Sequence, residues 1–421
     1  MFQIEMIQDE VPAGIKINRR MAVRAILYRD GKLLMVQTNC GDYKFPGGGV
    51  RVGEDKHAAL LREIREETGY TDIVIGPCIG TAIDQHVDVM EPEAFFRMEH
   101  FYYVCRMRSD TQTERQLDDY EKRMDFQPVW IEAEEAARSD RELFNASICD
   151  KKRKILSEIP WLERETQVLE RIAGNPLCDM AFEVWECGAI IRDADRIQVR
   201  VGEKAGHANF VTTYDKKVQQ ELKRRLLAIV PDAVFVGEEE DIHASIAKGT
   251  AFIVDPIDGT TNFIKDYRCS CISVGMTVDG VQQAGIVYNP YLEELFTAER
   301  GRGAYLNGNR IHVSAEPLEN GIVIFGTAPY YEELSKKGFA MAYDYFTRSL
   351  DVRRSGSAAI DLCNVACGRA ELFFELTLSP WDYAAGGLIV EEAGGKVTTV
   401  EGEPVTLDRP CSVKATNGIA E

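Results

Sequence analysis

Between Ala251 and Phe263 the chain reads AFIVDPIDGTTNF. Two carboxylates, Asp255 and Asp258, stand three residues apart at the end of an apolar run, and Gly259-Thr260-Thr261 follow at once. Ala251 to Asp255 predict a short buried strand, and Pro256, which has no N–H to give, is expected to stop its ladder. Carboxylate oxygens suit hard divalent cations, and backbone N–H groups in a glycine turn suit phosphate. The combination points to metal-assisted hydrolysis of a phosphate ester. More acids fall where elements begin or end. Asp215 precedes an amphipathic stretch over 216–229, and Glu238-Glu239 close the apolar run 234–236. Asp382 follows Pro380-Trp381 at the start of a helix that Gly394-Gly395 should close.

A second set lies in FPGGGVRVGEDKHAALLREIREETGY, residues 45–70. Gly47 to Gly49 make a loop that lets backbone approach a ligand. Asp55 is a natural N-cap, Ala59, Leu60 and Ile64 recur at helical spacing, and Gly69 suits the position after the helix. On that helix Glu63, Glu66 and Glu67 share one face, which alone is commonly a solvated face.

The elements that must hold these residues can be read more coarsely. Asp30-Gly31 between two apolar runs predicts a hairpin. Strands are expected over 74–82, 99–107 and 126–131, the last followed by a helix. Residues 110–125 are dense in charge and read as an exposed loop or helix. The stretch 151–176 is charged and helix-prone, broken by Pro160 and closed by Gly174-Asn175-Pro176. Asn307-Gly308 predicts a second hairpin. With 421 residues, 45% of them apolar, the chain has room for two or three cores.

Composition excludes some roles. A formal net charge of −19 argues against nonspecific nucleic-acid or anionic-membrane binding. No apolar run is long enough to span a bilayer, and MFQIEMIQDE lacks a signal-like basic and apolar start. Eleven cysteines without zinc spacing, and six scattered histidines, are expected to be reduced thiols and structural residues of a cytoplasmic protein.

The order Asp215, Glu238-Glu239, Asp255-Pro-Ile-Asp258-Gly-Thr260, Trp381-Asp382 resembles the inositol monophosphatase family, within the magnesium-dependent, lithium-sensitive phosphatases, over residues 177–421. The frame Gly48-x5-Glu54-x7-Arg62-Glu63-Ile64-x-Glu66-Glu67-x-Gly69-Tyr70 resembles the Nudix box, a resemblance that covers about residues 18–150, so a Nudix hydrolase domain is expected over 1–155 and a helical linker over 156–176. Together these resemblances imply an α/β two-domain chain: an N-terminal Nudix α/β/α sandwich and a C-terminal layered α-β-α-β-α fold.

The phosphatase resemblance implies that Glu238, Asp255 and the Ile257 carbonyl hold one Mg2+, and that Asp255, Asp258 and Asp382 hold a second. It implies that Thr260 and Asp215 activate water and that Gly259 and Thr260 N–H groups bind the phosphoryl oxygens. The alcohol would meet Asp258, Glu375, Asp382 and the turn Gly356, Ser357, Ala358. The Nudix resemblance implies that Glu63, Glu66, Glu67 and the Gly48 carbonyl coordinate Mg2+ or Mn2+, that Arg62 orients the glutamates and that Glu54 supports the loop, while Glu99, Glu114 and Glu132 stay unranked as further candidates. Asn209 and Glu240 depart from the phosphatase family's commonest text.

The resulting expectation is a bifunctional Mg-dependent hydrolase. A Nudix half cleaves a nucleoside diphosphate derivative, and a phosphomonoesterase half acts on inositol monophosphate or a related sugar phosphate. Two other readings stay open: a 3′(2′),5′-bisphosphate nucleotidase coupled to the Nudix half, and a Nudix half that senses a nucleotide to regulate the phosphatase. The expected partners are small phosphorylated metabolites, with neither nucleic acid nor membrane, and a homodimer is compatible.

Overall fold

The computed structural model describes residues 1–8, 10–149, 161–194, 201–203, 210–240, 245–329 and 331–420. Asn209 and residues 156–160 of the expected linker lie outside them. The chain divides into two units, Phe2–Asn175 and Pro176–Glu421.

In the first unit the strands are β1 (Phe2–Ile7), β2 (Ile17–Arg29), β3 (Lys32–Gln37), β4 (Tyr43–Lys44), β5 (Ile73–Val87), β6 (Phe95–Met107) and β7 (Gln127–Ile131). Among the described residues they form one sheet in the order β1-β5-β6-β2-β3-β4, with β7 beside β3. Asp30 and Gly31 turn β2 onto β3 with φ of 50° and 75°, the left-handed pair that a two-residue hairpin needs. Strand alternation then sorts side chains to two faces. Val23, Ala25 and Leu27 of β2 and Tyr103 and Cys105 of β6 pack against Ala59, Leu60 and Ile64 of helix α1 (Lys56–Thr68). Asp55 caps α1 by accepting from the His57 and Ala58 N–H groups, and Gly69 ends it at φ 83°. The charged stretch after β6 holds only a short helix, α2 (Asp119–Arg123).

The opposite face carries α3 (Ala133–Cys149) and α4 (Leu162–Ile172). Helix α4 falls in the stretch expected to be a linker, yet it is built into the first unit, which therefore runs to Asn175. Its Leu162, Val168, Leu169 and Ile172 are buried, and so are Arg164 and Glu165. Arg164 Nη1 donates to Asp84 Oδ2 at 2.6 Å, and Arg164 Nη2 to Glu165 Oε1 at 2.9 Å. Glu165 Oε2 also accepts from the Phe45 N–H at 3.2 Å. The helix thus carries a charge pair under the sheet, where each member needs the other.

Beside Arg164 lies His100, with Nε2 2.9 Å from Asp84 Oδ2. Burial, aided by the Arg164 charge, pushes the ring's pKa down to about 3, so the imidazole is neutral in the folded protein. Asp84 is partly buried, but its bonds to His100 and Arg164 overcome that burial and hold it at about 2.

Among its described residues the second unit contains a two-stranded ribbon, β8 (Val201–Glu203) with β9 (Phe210–Thr212), and two larger sheets. The first large sheet runs in order through β10 (Val234–Gly237), β11 (Thr250–Asp258), β12 (Cys271–Val278), β13 (Val281–Asn289), β14 (Glu294–Glu299), β15 (Gly303–Leu306) and β16 (Asn309–Ile311). The second is β18-β17-β19-β21-β20, formed by β17 (Ile322–Phe325), β18 (Asp351–Arg353), β19 (Leu372–Leu378), β20 (Lys396–Thr398) and β21 (Cys411–Thr416).

Helices α5 (Pro176–Arg192) and α6 (Thr213–Ile229) cover one side of the first large sheet. After the short α7 (Thr260–Ile264) and then α8 (Glu332–Arg348) come α9 (Ala358–Ala366) and α10 (Pro380–Glu392). The last two lie between the sheets: Leu362, Tyr383 and Leu388 share a core with Val287 and Phe296 on one side and Phe373 and Val413 on the other. Helix α8 closes the far side of the second sheet through Ala342, against Val323 and Phe374. The unit is therefore layered α-β-α-β-α. Close approach of α10 is possible because Gly275 and Gly285 have no side chain; a Cβ on either would fall within 3 Å of Ala384 or Ala385.

One local expectation is corrected. Strand β11 does not stop at Pro256: its ladder with β12 breaks register after Asp255 and resumes at Asp258. The missing N–H produces a bulge rather than an end.

Replacing Arg164 with Met should destabilise the first unit by about 3–5 kcal/mol, because Glu165 and Asp84 lose their cation in a dry site. The Arg164→Met/Glu165→Gln double variant should recover part of that loss in urea denaturation. Acid should act through His100. Its folded pKa lies below its unfolded one, so the unfolded chain binds the extra proton, and stability falls as pH drops below about 6.5. A His100→Gln variant should show a flatter stability profile between pH 7 and 5.

Candidate functional site

In the second unit the bulge of β11 presents Asp255 and Asp258 to a cavity of about 520 Å3. Glu238, just past the end of β10, and Asp382, in the first turn of α10, face the same space, as do Ile257, Gly259, Thr260, Gly356, Ser357, Ala358 and Glu375. Residues 144 positions apart in sequence, Glu238 and Asp382, thus meet because β10 and β11 end, and α10 begins, at the cavity.

Each carboxylate is held by local backbone chemistry. The Ile257 N–H donates to Asp255 Oδ1 at 3.0 Å across the proline. Three donors reach Asp258 Oδ2: Ser357 Oγ at 2.6 Å, the Ala359 N–H at 2.7 Å and, more weakly, Cys271 Sγ at 3.8 Å. Asp382 takes the Ser379 N–H at 2.7 Å, closing a capping box at the start of α10. Glu375 Oε1 takes the Ala328 N–H at 2.9 Å, and Gly326 makes room for it: a Cβ there would stand 1.9 Å from the carboxylate.

Asp215 does not line the cavity. It is buried at the third position of α6 and accepts from both the N–H and the hydroxyl of Thr212 in a capping box. Its other oxygen lies 3.2 Å from Thr260 Oγ, which is also 3.1 Å from the Ile257 carbonyl. Asp215 therefore serves as a helix cap and as the acceptor behind Thr260 at once. Asn262 pins the neighbouring loops by donating to the Cys269 and Ser355 carbonyls.

The electrostatics of the cavity are unbalanced. Arg354 is the single Lys or Arg among the described lining residues. Burial drives the Asp255 carboxyl well up, and the charges of Glu238, Asp258, Asp382 and Asp215 add to it. Asp382 is raised in the same way, first by burial and then by Asp258 and Glu238. Burial brings Asp258 to about 6 and Glu375 to about 7. Carboxylates so placed take up either protons or cations, and an all-oxygen donor set suits a hard divalent ion. Among the described residues no three such groups are drawn to one point; they ring the cavity instead.

At α1 one cation serves several acids. Arg62 donates to Glu54 (2.8 and 2.9 Å), Glu63 (2.6 Å), Glu66 (3.2 Å) and the Gly49 carbonyl. Its bonds hold the Glu54 carboxyl down to about 2. Gly48 is required beside Glu63, since a Cβ would stand 2.4 Å from that carboxylate, and its carbonyl accepts from the Val23 N–H.

Glu67, expected beside the other two glutamates as a metal ligand, is instead enclosed. Lys44 Nζ donates to one oxygen at 2.7 Å and the Gly47 N–H to the other at 2.8 Å. The set therefore fits a divalent ion at Glu63 and Glu66 but not at Glu67. Of the unranked candidates, Glu99 pairs with Arg19 and Arg97, while Glu114 and Glu132 are exposed. Sequence reading missed Lys44 and Asp361. Asp361 is a buried cavity residue on α9, and one acid inside an apolar helix gave no signal.

Comparison with known proteins follows this geometry. Residues 178–421 match the model of the inositol monophosphatase family, and residues 18–151 that of the NUDIX domain. The chain is 39% identical over 239 residues to inositol monophosphatase 2 of Solanum lycopersicum, covering 54% of this chain and 89% of that protein. It superposes on the extragenic suppressor protein suhB of Bartonella henselae with a TM-score of 0.53 and 34% identity, covering 57% of this chain and 93% of that one. An IMPase/NADP phosphatase complexed with Mg2+ and phosphate gives a TM-score of 0.51 at 25% identity, covering 56% and 87%.

Gly326→Ala should push the Glu375 carboxylate from its place. The expected result is a fall in kcat/KM for phosphomonoesters, with destabilisation of about 1–3 kcal/mol from overpacking, read by steady-state kinetics and thermal unfolding.

Proposed function

Because residues 178–421 make this chain a member of the inositol monophosphatase family and residues 18–151 give it a Nudix domain, we propose that it is a bifunctional magnesium-dependent hydrolase, with a phosphomonoesterase for inositol monophosphate or a related sugar phosphate and a pyrophosphohydrolase for a nucleoside diphosphate derivative. The observation that carries the first activity is the ring of mutually repelling carboxylates with Thr260 at its edge and Asp215 behind Thr260.

Glu238, Asp255 and the Ile257 carbonyl would hold one ion, and Asp255, Asp258 and Asp382 a second. Bound Mg2+ would neutralise the phosphate and lower the pKa of a coordinated water. Thr260 Oγ, held by Asp215 and the Ile257 carbonyl, would orient the attacking water. In the displacement the water held by Thr260 Oγ would bond to phosphorus as the bond from phosphorus to the alcohol oxygen breaks. The water's proton would pass to Thr260 Oγ, the Thr260 hydroxyl proton to Asp215 Oδ1, and the departing alkoxide would take a proton from solvent. Backbone N–H groups of Gly259 and Thr260 take the phosphoryl oxygens. The alcohol meets Asp258, Asp382, the Gly356–Ala358 turn and Glu375, which at about 7 can donate to or accept from a sugar hydroxyl near neutral pH.

For the N-terminal half, Glu63 and Glu66 are the groups that remain open to an ion, oriented by Arg62, with the Gly48 carbonyl beside them. Cleavage of a diphosphate leaves a phosphomonoester, the class of compound that the C-terminal half consumes. Small phosphorylated metabolites are therefore the proposed ligands, and the net charge of −19 is in keeping with that class rather than with nucleic acid.

Phosphate release from a panel of sugar and inositol monophosphates should vanish in EDTA and return with Mg2+. Thr260→Val should lower kcat by about a hundredfold or more while leaving KM little changed. Glu66→Gln should abolish cleavage of a nucleoside diphosphate panel without affecting monoester turnover. Monoester hydrolysis that persists in EDTA would remove the metal from the proposed phosphatase chemistry.

A further inference from the structure

Lys44 sits one residue before the Phe45-Pro46-Gly47 loop, and its ammonium is sealed against Glu67. The two side chains are 5% and 1% exposed, with Nζ and Oε1 2.7 Å apart. The ammonium also stands 4.4 Å from the centroid of the Phe126 ring and 5.6 Å from that of Trp161, distances at which ring faces attract a cation. Trp161 is fixed in turn by donating from Nε1 to Asp42 Oδ2 at 2.8 Å. The remaining oxygen of Glu67 is taken by the Gly47 N–H.

A hard divalent ion needs about six oxygen ligands or waters around it. Glu67 instead receives an ammonium and an amide N–H, feels the Arg24 charge as well, and its ammonium partner is enclosed by two aromatic faces. Glu63, one turn away, and Glu66, the residue before, keep 13% and 23% of their side-chain surface and share a single guanidinium.

We propose that Lys44 is a resident cation of the Nudix centre: its ammonium occupies the place of a divalent ion on Glu67, and metal enters through Glu63 and Glu66 alone. The centre then carries one positive charge that does not depend on free Mg2+, and it binds fewer ions than a centre with all three box glutamates open. The inference rests on this centre holding metal, but not on its turning over substrate.

The test counts Mn2+ by electron paramagnetic resonance on the intact chain, in an Asp255→Asn/Asp258→Asn background that disables the phosphatase carboxylates. Glu67→Gln should leave the number and affinity of the remaining Mn2+ unchanged, whereas Glu66→Gln should weaken them by at least about tenfold. Lys44→Met frees Glu67 and should add a Mn2+ that is lost again in the Lys44→Met/Glu67→Gln double variant. That double variant removes both charges together and should fold even where the single one does not, binding Mn2+ as the background does. Loss of Mn2+ affinity in Glu67→Gln, or a folded Lys44→Met that gains no ion, overturns the proposal. Because binding is read without substrate, a centre that binds as stated yet hydrolyses nothing fails the pyrophosphohydrolase reading and leaves this one standing.

Discussion

Like charges crowded around one cavity dominate the C-terminal unit. Asp255, Asp258, Asp382 and Glu238 come from three separate elements, and each is tied down by a neighbouring N–H or hydroxyl or placed by a strand end. The layered fold holds them at close quarters against their mutual repulsion. A chain that only had to be stable would not collect them. The bulge after Asp255 and the serine cap of α9 serve the same end, since both aim carboxylate oxygens into the cavity while satisfying backbone that would otherwise be unpaired.

The N-terminal unit meets the same electrostatic problem with side chains. Arg62 spreads one guanidinium over three glutamates, Lys44 neutralises Glu67, and Arg164 serves Asp84 and Glu165. Buried pairs of this kind contribute little net stability, but they strongly penalise the loss of either partner. The unit is thus specified by pairing where the other is specified by packing, and the two surroundings differ in how much they ask of an added ion.

Much of this was legible in the chain. Asp30-Gly31 and Asn307-Gly308 turn their hairpins because both positions need positive φ, which few residues tolerate. Asp55 and Gly69 bound α1 to the residue. The phosphatase acids could be placed because each stands at the start or end of a local pattern. What stayed hidden was tertiary pairing. Nothing in the text around Lys44 separates a sealed lysine from a solvated one. Arg164-Glu165 reads as an ordinary charged helix face, and only the opposing Asp84, His100 and Phe45 N–H turn it inward. Pro256 misled in the other direction: a missing donor is local, but whether the ladder ends or skips depends on β12.

The placement of α4 also sets where the first unit can be cut. A fragment that stopped short of α4 would expose the sheet face beneath it and strip Asp84 of Arg164 and Arg24 of Glu165. An excisable N-terminal fragment therefore extends to Asn175.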